Sequence, residues 1–122
     1  MEIINREYCT PFITKDGSTI RELLAHRNSV IRKQSLAEAT VPVGIRTQLH
    51  HHLDTEEIYY VLRGTGVMTI EDQTRGIGPG DAIAIPPGKR HCIENNGAED
   101  LVFLCCCAPG YEHADTVIED PS

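Results

Sequence analysis

The stretch Gly44-Ile-Arg-Thr-Gln-Leu-His50-His-His52-Leu-Asp-Thr-Glu-Glu57-Ile-Tyr-Tyr-Val-Leu-Arg-Gly64 decides how this chain folds. Residues 57–63 are rich in aromatic and branched side chains, the composition that packs on a pleated, half-buried sheet. Glu57, Tyr59 and Val61 share one face of that strand, and Ile58, Tyr60 and Leu62 share the other. Just before it, His50 and His52 are two residues apart, so on an extended backbone both imidazoles project to one side while His51 turns away. A short turn separates the two runs, and antiparallel pairing folds the Glu57 carboxylate back over the histidine pair. Arg46 and Gln48 have the parity of His50, which directs Arg46 inward beside the pair.

Outward from this stretch the strand signals continue in both directions. Toward the N-terminus, 35–41 reads as extended and is separated from a second extended run, 45–52, by Pro42 and Gly44. Residues 19–24 fit either a strand or a single helical turn. Toward the C-terminus, strands are expected at 67–71, 81–85, 90–94 and 101–107. Asp72-Gln73 reads as a polar turn, Gly76-Ile-Gly-Pro-Gly80 as a loop, and Pro86-Pro-Gly88 and Asn95-Asn-Gly97 as turns. No helical pattern follows the glycines at 76–80, so they do not form a nucleotide-binding motif. Many short strands with glycine and proline punctuation predict an all-β sandwich or closed barrel. The segment after Pro109 is expected to cross the barrel surface or cover one end.

Composition bounds the function. The 122 residues fit one domain, 1–122, with the barrel core at about 35–107. The 11 basic and 18 acidic residues give a net charge of −7, which argues against a nucleic-acid partner. Met1-Glu-Ile-Ile-Asn-Arg-Glu-Tyr8 lacks the profile of a secretory signal, and no apolar run approaches the roughly 20 residues that span a bilayer. A cytoplasmic protein without a membrane partner is expected. Five cysteines, an odd number, argue against a disulfide framework. Cys105, Cys106 and Cys107 are consecutive, and on a strand Cys106 faces away from the other two. They read as small apolar packing in a reducing compartment, with a redox or metal-tuning role as the alternative.

Two complete motifs resemble those of the cupin superfamily. The first asks for Gly, five residues, His-x-His, three or four residues, Glu, six residues and Gly, and Gly44 to Gly64 meets every fixed position. The interval to Gly64 selects Glu57 over Glu56. The second asks for Gly, five residues, Pro-x-Gly, two residues, His, three residues and Asn. Gly80-Asp-Ala-Ile-Ala-Ile-Pro86-Pro-Gly88-Lys-Arg-His91-Cys-Ile-Glu-Asn95 matches throughout. The resemblance implies a double-stranded β-helix, the jelly-roll cupin barrel. It implies that His50, His52, Glu57 and His91 hold one divalent transition metal, whether Mn, Fe, Ni, Co or Zn. The tail from Phe103 to Thr116 is similar to that of small single-domain cupins of the sugar-phosphate isomerase-like group.

Neutral imidazoles with one carboxylate suit a first-row divalent ion, and an octahedral ion keeps two open positions. The expected function is therefore metal-dependent catalysis on a small oxygenated substrate, sugar-like or keto-acid-like, by Lewis-acid isomerase, epimerase or lyase chemistry. A dioxygenase is one alternative, and a barrel that binds metal and ligand without turnover is another. Glu57 is a candidate base as well as a ligand. Tyr59, with the parity of Glu57, is a candidate proton donor, and Arg46 a candidate partner for a substrate carboxylate or phosphate. His113 is a candidate for the barrel mouth. Because both faces of 57–63 are apolar, one face needs cover from the N-terminal segment or a second subunit, and a homodimer is expected.

Overall fold

The computed structural model describes residues 1–120. Its strands are β1 (Phe12–Ile13), β2 (Thr19–Leu24), β3 (Ser35–Val41), β4 (His50–His52), β5 (Glu56–Arg63), β6 (Gly66–Ile70), β7 (Gln73–Ile77), β8 (Ala82–Ile85), β9 (His91–Glu94), β10 (Leu101–Ala108) and β11 (Thr116–Ile118). Two one-turn 3-10 segments, Arg6–Tyr8 and His113–Asp115, are the helical pieces among the described residues. Every strand pairing is antiparallel. One sheet runs β1-β2-β3-β10-β5-β8 and the other β11-β4-β9-β6-β7. The two form the expected all-β jelly roll.

Strand β10 is the spine of the first sheet. Phe103 lies opposite Ala39 of β3 on one side and Val61 of β5 on the other. Its odd-numbered residues face inward: Leu101, Phe103, Cys105 and Cys107 are buried, whereas Leu104 and Cys106 are only half-buried. Together with Ile20, Val41, Tyr59, Val61, Met68, Ile85 and Ile93, this face makes the core. Strand β5 alternates as its sequence requires, with Glu57, Tyr59 and Val61 inside and Ile58, Tyr60 and Leu62 outside. Gly64 ends β5 with φ +85°, and a Cβ there would stand 2.5 Å from the Asp100 carbonyl oxygen. Only glycine meets both the backbone and the space requirement.

The antiparallel pairing expected between the histidine run and the Glu57 strand does not form. Strand β4 pairs with β9 and β11, whereas β5 pairs with β10 and β8. The turn between them crosses from one sheet to the other, so Glu57 meets the histidines across the sheets. Three further readings are settled or changed. Residues 19–24 are a strand, β2, which packs on β3. Residues 73–77, read as turn and loop, form edge strand β7 paired with β6. All but Ile77 are exposed there, so no apolar alternation marked the strand. The run 45–52 is not one continuous strand, because only His50–His52 pair regularly and Arg46 makes a single bridge to Glu94. Thr47 and His50 are both buried, three residues apart, so the alternation slips between them. Arg46 is therefore on the surface, and its guanidinium bonds Cys92 Sγ at 3.3 Å and Asp120 Oδ2 at 2.9 Å. The inward-facing Arg46 expected from parity is not there.

Candidate metal centre

Strand register brings the histidines together. His50 of β4 lies directly opposite His91 of β9, and their ring centroids are 4.2 Å apart. His52, two residues along the same face of β4, has its centroid 5.2 Å from His50 and 5.5 Å from His91. One nitrogen from each ring falls within 4.8 Å of the other two. Glu57 comes from β5 in the opposing sheet, and its Oε1 lies 3.2 Å from His52 Nε2 and 3.5 Å from His91 Nε2. The cluster thus spans the gap between the sheets. His50, His52, His91 and Glu57 are 2%, 3%, 1% and 6% exposed.

Backbone and hydroxyl acceptors aim each ring. His50 Nδ1 donates to the Gln48 carbonyl at 2.8 Å, and His91 Nδ1 to the Lys89 carbonyl at 2.9 Å. His52 Nδ1 lies 3.1 Å from Thr116 Oγ1, whose own hydrogen goes to the Glu112 carbonyl, so the hydroxyl accepts from the ring. With hydrogen on every Nδ1, each Nε2 presents a lone pair to the same space. His52 Nε2, His91 Nε2 and Glu57 Oε1 are buried and make no hydrogen bond. Buried acceptors facing each other without a donor carry a large desolvation cost unless a cation lies among them. The three imidazoles His50, His52 and His91 are grouped closely enough to hold a divalent transition-metal ion, and the Glu57 carboxylate stands beside two of them, so the residues present fit such an ion.

The titratable groups respond to this crowding. Burial and the neighbouring His91 ring lower the pKa of His50, which keeps the ring neutral and able to ligate. Burial pushes the Glu57 carboxyl up, but in the metal-free protein His52 and His91 outweigh it where they carry a hydrogen on Nε2 toward the carboxylate, and hold it at about 2. Glu57 Oε2 accepts from the Cys107 thiol at 3.2 Å, because Glu57 and Cys107 are register partners on β5 and β10. Burial raises the pKa of both Cys105 and Cys107, which stay as thiols.

A cavity opens above the cluster, lined by His50, His52, Glu57, Tyr59, Tyr111 and Asp16 among others. About 50 Å³ of it is open to water-sized groups, room for only a handful of them. Tyr59 is there, as parity indicated, and burial pushes its hydroxyl pKa well up, so it stays protonated. Tyr111 and Asp16 went unnoticed in the sequence. Tyr111 follows a Pro-Gly pair with no strand pattern, and Asp16 occupies an Asp-Gly turn, where an acidic residue carries no signal beyond the turn itself. His113 is exposed, bonded at Nδ1 to the Tyr111 hydroxyl at 3.2 Å, and does not line the cavity. His51 faces away from the cluster, with Nδ1 2.6 Å from Glu119.

Known proteins share this fold. The model of the cupin domain family matches residues 37–107, and the chain belongs to that family. It is 52% identical over 120 residues to the uncharacterized protein MJ1618 of Methanocaldococcus jannaschii, covering 97% of this chain and 96% of that one. It is 40% identical over 68 residues to an oxalate-binding protein of Thermotoga maritima, covering 56% of each. Among solved structures, the polyketide cyclase RemF of Streptomyces resistomycificus superposes with a TM-score of 0.84 at 25% identity, over 100% of this chain and 87% of that one.

Proposed function

We propose that this protein is a divalent-metal enzyme that acts on a small oxygenated substrate, sugar-like or keto-acid-like, by Lewis-acid isomerase, epimerase or lyase chemistry. The observation that carries the proposal is the set of inward lone pairs, with His52 Nε2, His91 Nε2 and Glu57 Oε1 buried and unbonded at the base of an open cavity. His50, His52, Glu57 and His91 are the ligands. When bound there, a divalent ion would supply Lewis acidity to a substrate oxygen. The protein supplies the rest. Phe103, Cys105, Ala37 and Ala39 form apolar walls that limit water. Tyr59, kept neutral by burial, retains its phenol proton, and its ring lies 6.0 Å from that of His91 and packs on Phe103 at 4.6 Å. Glu57, held at Oε2 by the Cys107 thiol, keeps Oε1 turned to the histidines. Arg46, 45% exposed and committed to Asp120, is not a substrate anchor in this reading. The small cavity favours a substrate of few atoms.

The likeness to an oxalate-binding protein supports a second reading, a barrel that holds metal and a small acid without turnover. Elemental analysis of protein purified without added metal or a chelating tag tests the centre, with about one divalent ion per chain expected. The metal-loaded protein is then offered enolisable sugars, small keto acids and catechols with and without oxygen. Oxygen-independent product supports the proposal. Oxygen uptake would select a dioxygenase, and binding without product would select the second reading.

Five free cysteines suit a reducing compartment, and we place the protein in the cytoplasm. No helix of the described residues is long and apolar enough to cross a membrane. We also propose a homodimer built on the outer face of β5.

A further inference from the structure

The β1–β2 hairpin carries a second carboxylate to the imidazoles, and neither sequence motif contains it. Asp16 sits in the turn Thr14-Lys-Asp-Gly-Ser18, and its two oxygens are in different situations. Oδ1 accepts from Thr14 Oγ1 at 2.7 Å, Ser18 Oγ at 2.7 Å and the Ser18 backbone N–H at 3.0 Å. Among the described residues Oδ2 has no hydrogen-bond donor, and it lies 3.5 Å from His50 Nε2. The Asp16 carbonyl accepts from the Gln48 backbone N–H at 2.7 Å, which ties the turn to the segment leading into β4. The side chain is 13% exposed. Asp16 is thus held, oriented and left with one free oxygen.

That free oxygen faces a lone pair. His50 gives its Nδ1 hydrogen to the Gln48 carbonyl, so no proton bridges Nε2 and the carboxylate, and the two repel. A cation between them turns the repulsion into shared ligation. Glu57 Oε1 stands in the same relation to His52 and His91, at 3.2 and 3.5 Å. Two ligands bound to one ion at about 2.1 Å are about 3.0 Å apart at a right angle and about 3.4 Å at a tetrahedral angle. The Asp16–His50 separation equals the Glu57–His91 contact and lies just above the tetrahedral distance, while the Glu57–His52 contact falls within the range.

We propose that Asp16 is a fifth ligand of the metal centre, binding through Oδ2 on the His50 side while Glu57 binds on the side of His52 and His91. The proposal rests on the metal-centre reading above and goes beyond its four ligands. Charge favours it. Three neutral imidazoles and two carboxylates around a divalent ion sum to about zero, whereas one carboxylate leaves about +1 in a buried site, where unbalanced charge is costly. A six-coordinate ion then keeps one open position, enough for one substrate oxygen.

The test compares metal-free wild type with Asp16→Asn and His91→Ala by calorimetric titration with zinc and manganese, and by the visible spectrum of the cobalt form. Asp16→Asn is expected to weaken binding at least tenfold, the low end of what a lost metal contact costs, and to change the intensity of the cobalt bands as the coordination number falls. Unchanged affinity with an unchanged spectrum, while His91→Ala loses the ion, would overturn the fifth ligand and leave the four-ligand centre standing. A wild type that binds neither metal would sink both. If Asp16→Asn does not fold, hydrogen exchange on the wild type decides. Zinc is expected to slow exchange of the Gly17 and Ser18 amides, whose bonds close the turn, and exchange that ignores zinc would overturn the proposal.

Discussion

Asn95 and His91 both belong to the second motif, but they do different things. His91 points a lone pair at the cluster, whereas Asn95, wholly buried, gives its amide hydrogens to the carbonyls of Val41 and Glu99 and accepts from the Gly97 N–H. Asn95→Ala strands those groups in the interior, so unfolding should cost about 2–4 kcal/mol less while the metal stoichiometry stays the same. Denaturant titration with elemental analysis checks both. Acidity acts through His50 and Glu57. The folded metal-free protein holds both pKa values below their ordinary ones, so on acidification the unfolded chain takes up protons that the folded chain refuses. Their contribution is fully present above the ordinary histidine pKa of 6.5. It should fall as pH drops below that value through His50, and fall again between 4.5 and about 2 through Glu57. A denaturation midpoint for metal-free protein that holds constant from neutral pH to pH 4 would contradict this.

Strand β11 shows how an element with no chemistry of its own can set a ligand's aim. It lies beside β4 with Thr116 opposite His52, and its hydroxyl fixes the hydrogen of His52 on Nδ1. Just before it, the Asp115 carboxylate accepts from the backbone N–H groups of Asp54 and Thr55 and so holds the turn between β4 and β5. Thr116→Val keeps the shape and removes the acceptor, so zinc affinity should drop about tenfold with little change in the melting of the metal-free protein. Equal affinities in a titration would show that the hydroxyl has no such role. The sequence disclosed β5 and the histidine pair because their signals are local: alternation, parity and a fixed interval to Gly64. It did not disclose Thr116, Tyr111 or Asp16, whose positions depend on where a tail and a hairpin close over the barrel. Arg46 was misjudged for a related reason, since parity persists only while the strand stays regular, and the slip between Thr47 and His50 reverses it. Strand β7 was missed because an exposed edge needs no apolar face.

At the scale of the molecule, the sheet that carries Glu57 has an inside and an outside, and the outside is unusually apolar. Ile58, Tyr60 and Leu62 are 49%, 42% and 44% exposed along β5; beside them on the neighbouring strands, Ile58 has Cys106 and Ala84, and Tyr60 has Leu104 and Ala82. The N-terminal hairpin, one candidate cover, packs instead at the other end of this sheet, where β1 and β2 adjoin β3. A second copy is then the natural cover, since a two-fold interface needs only one self-complementary patch. The wild type should sediment as a dimer at micromolar concentration. Ile58→Glu with Leu62→Glu, both on the outer face and away from the cavity, should shift it to monomer and leave zinc affinity within about twofold. Wild-type protein that is monomeric throughout that range would rule the dimer out. Retained dimer in the double variant would move the interface elsewhere on the barrel. If the monomeric variant also loses zinc, the subunits support the cavity across their contact, and the two β5 strands brace the carboxylate that each carries on its inner face.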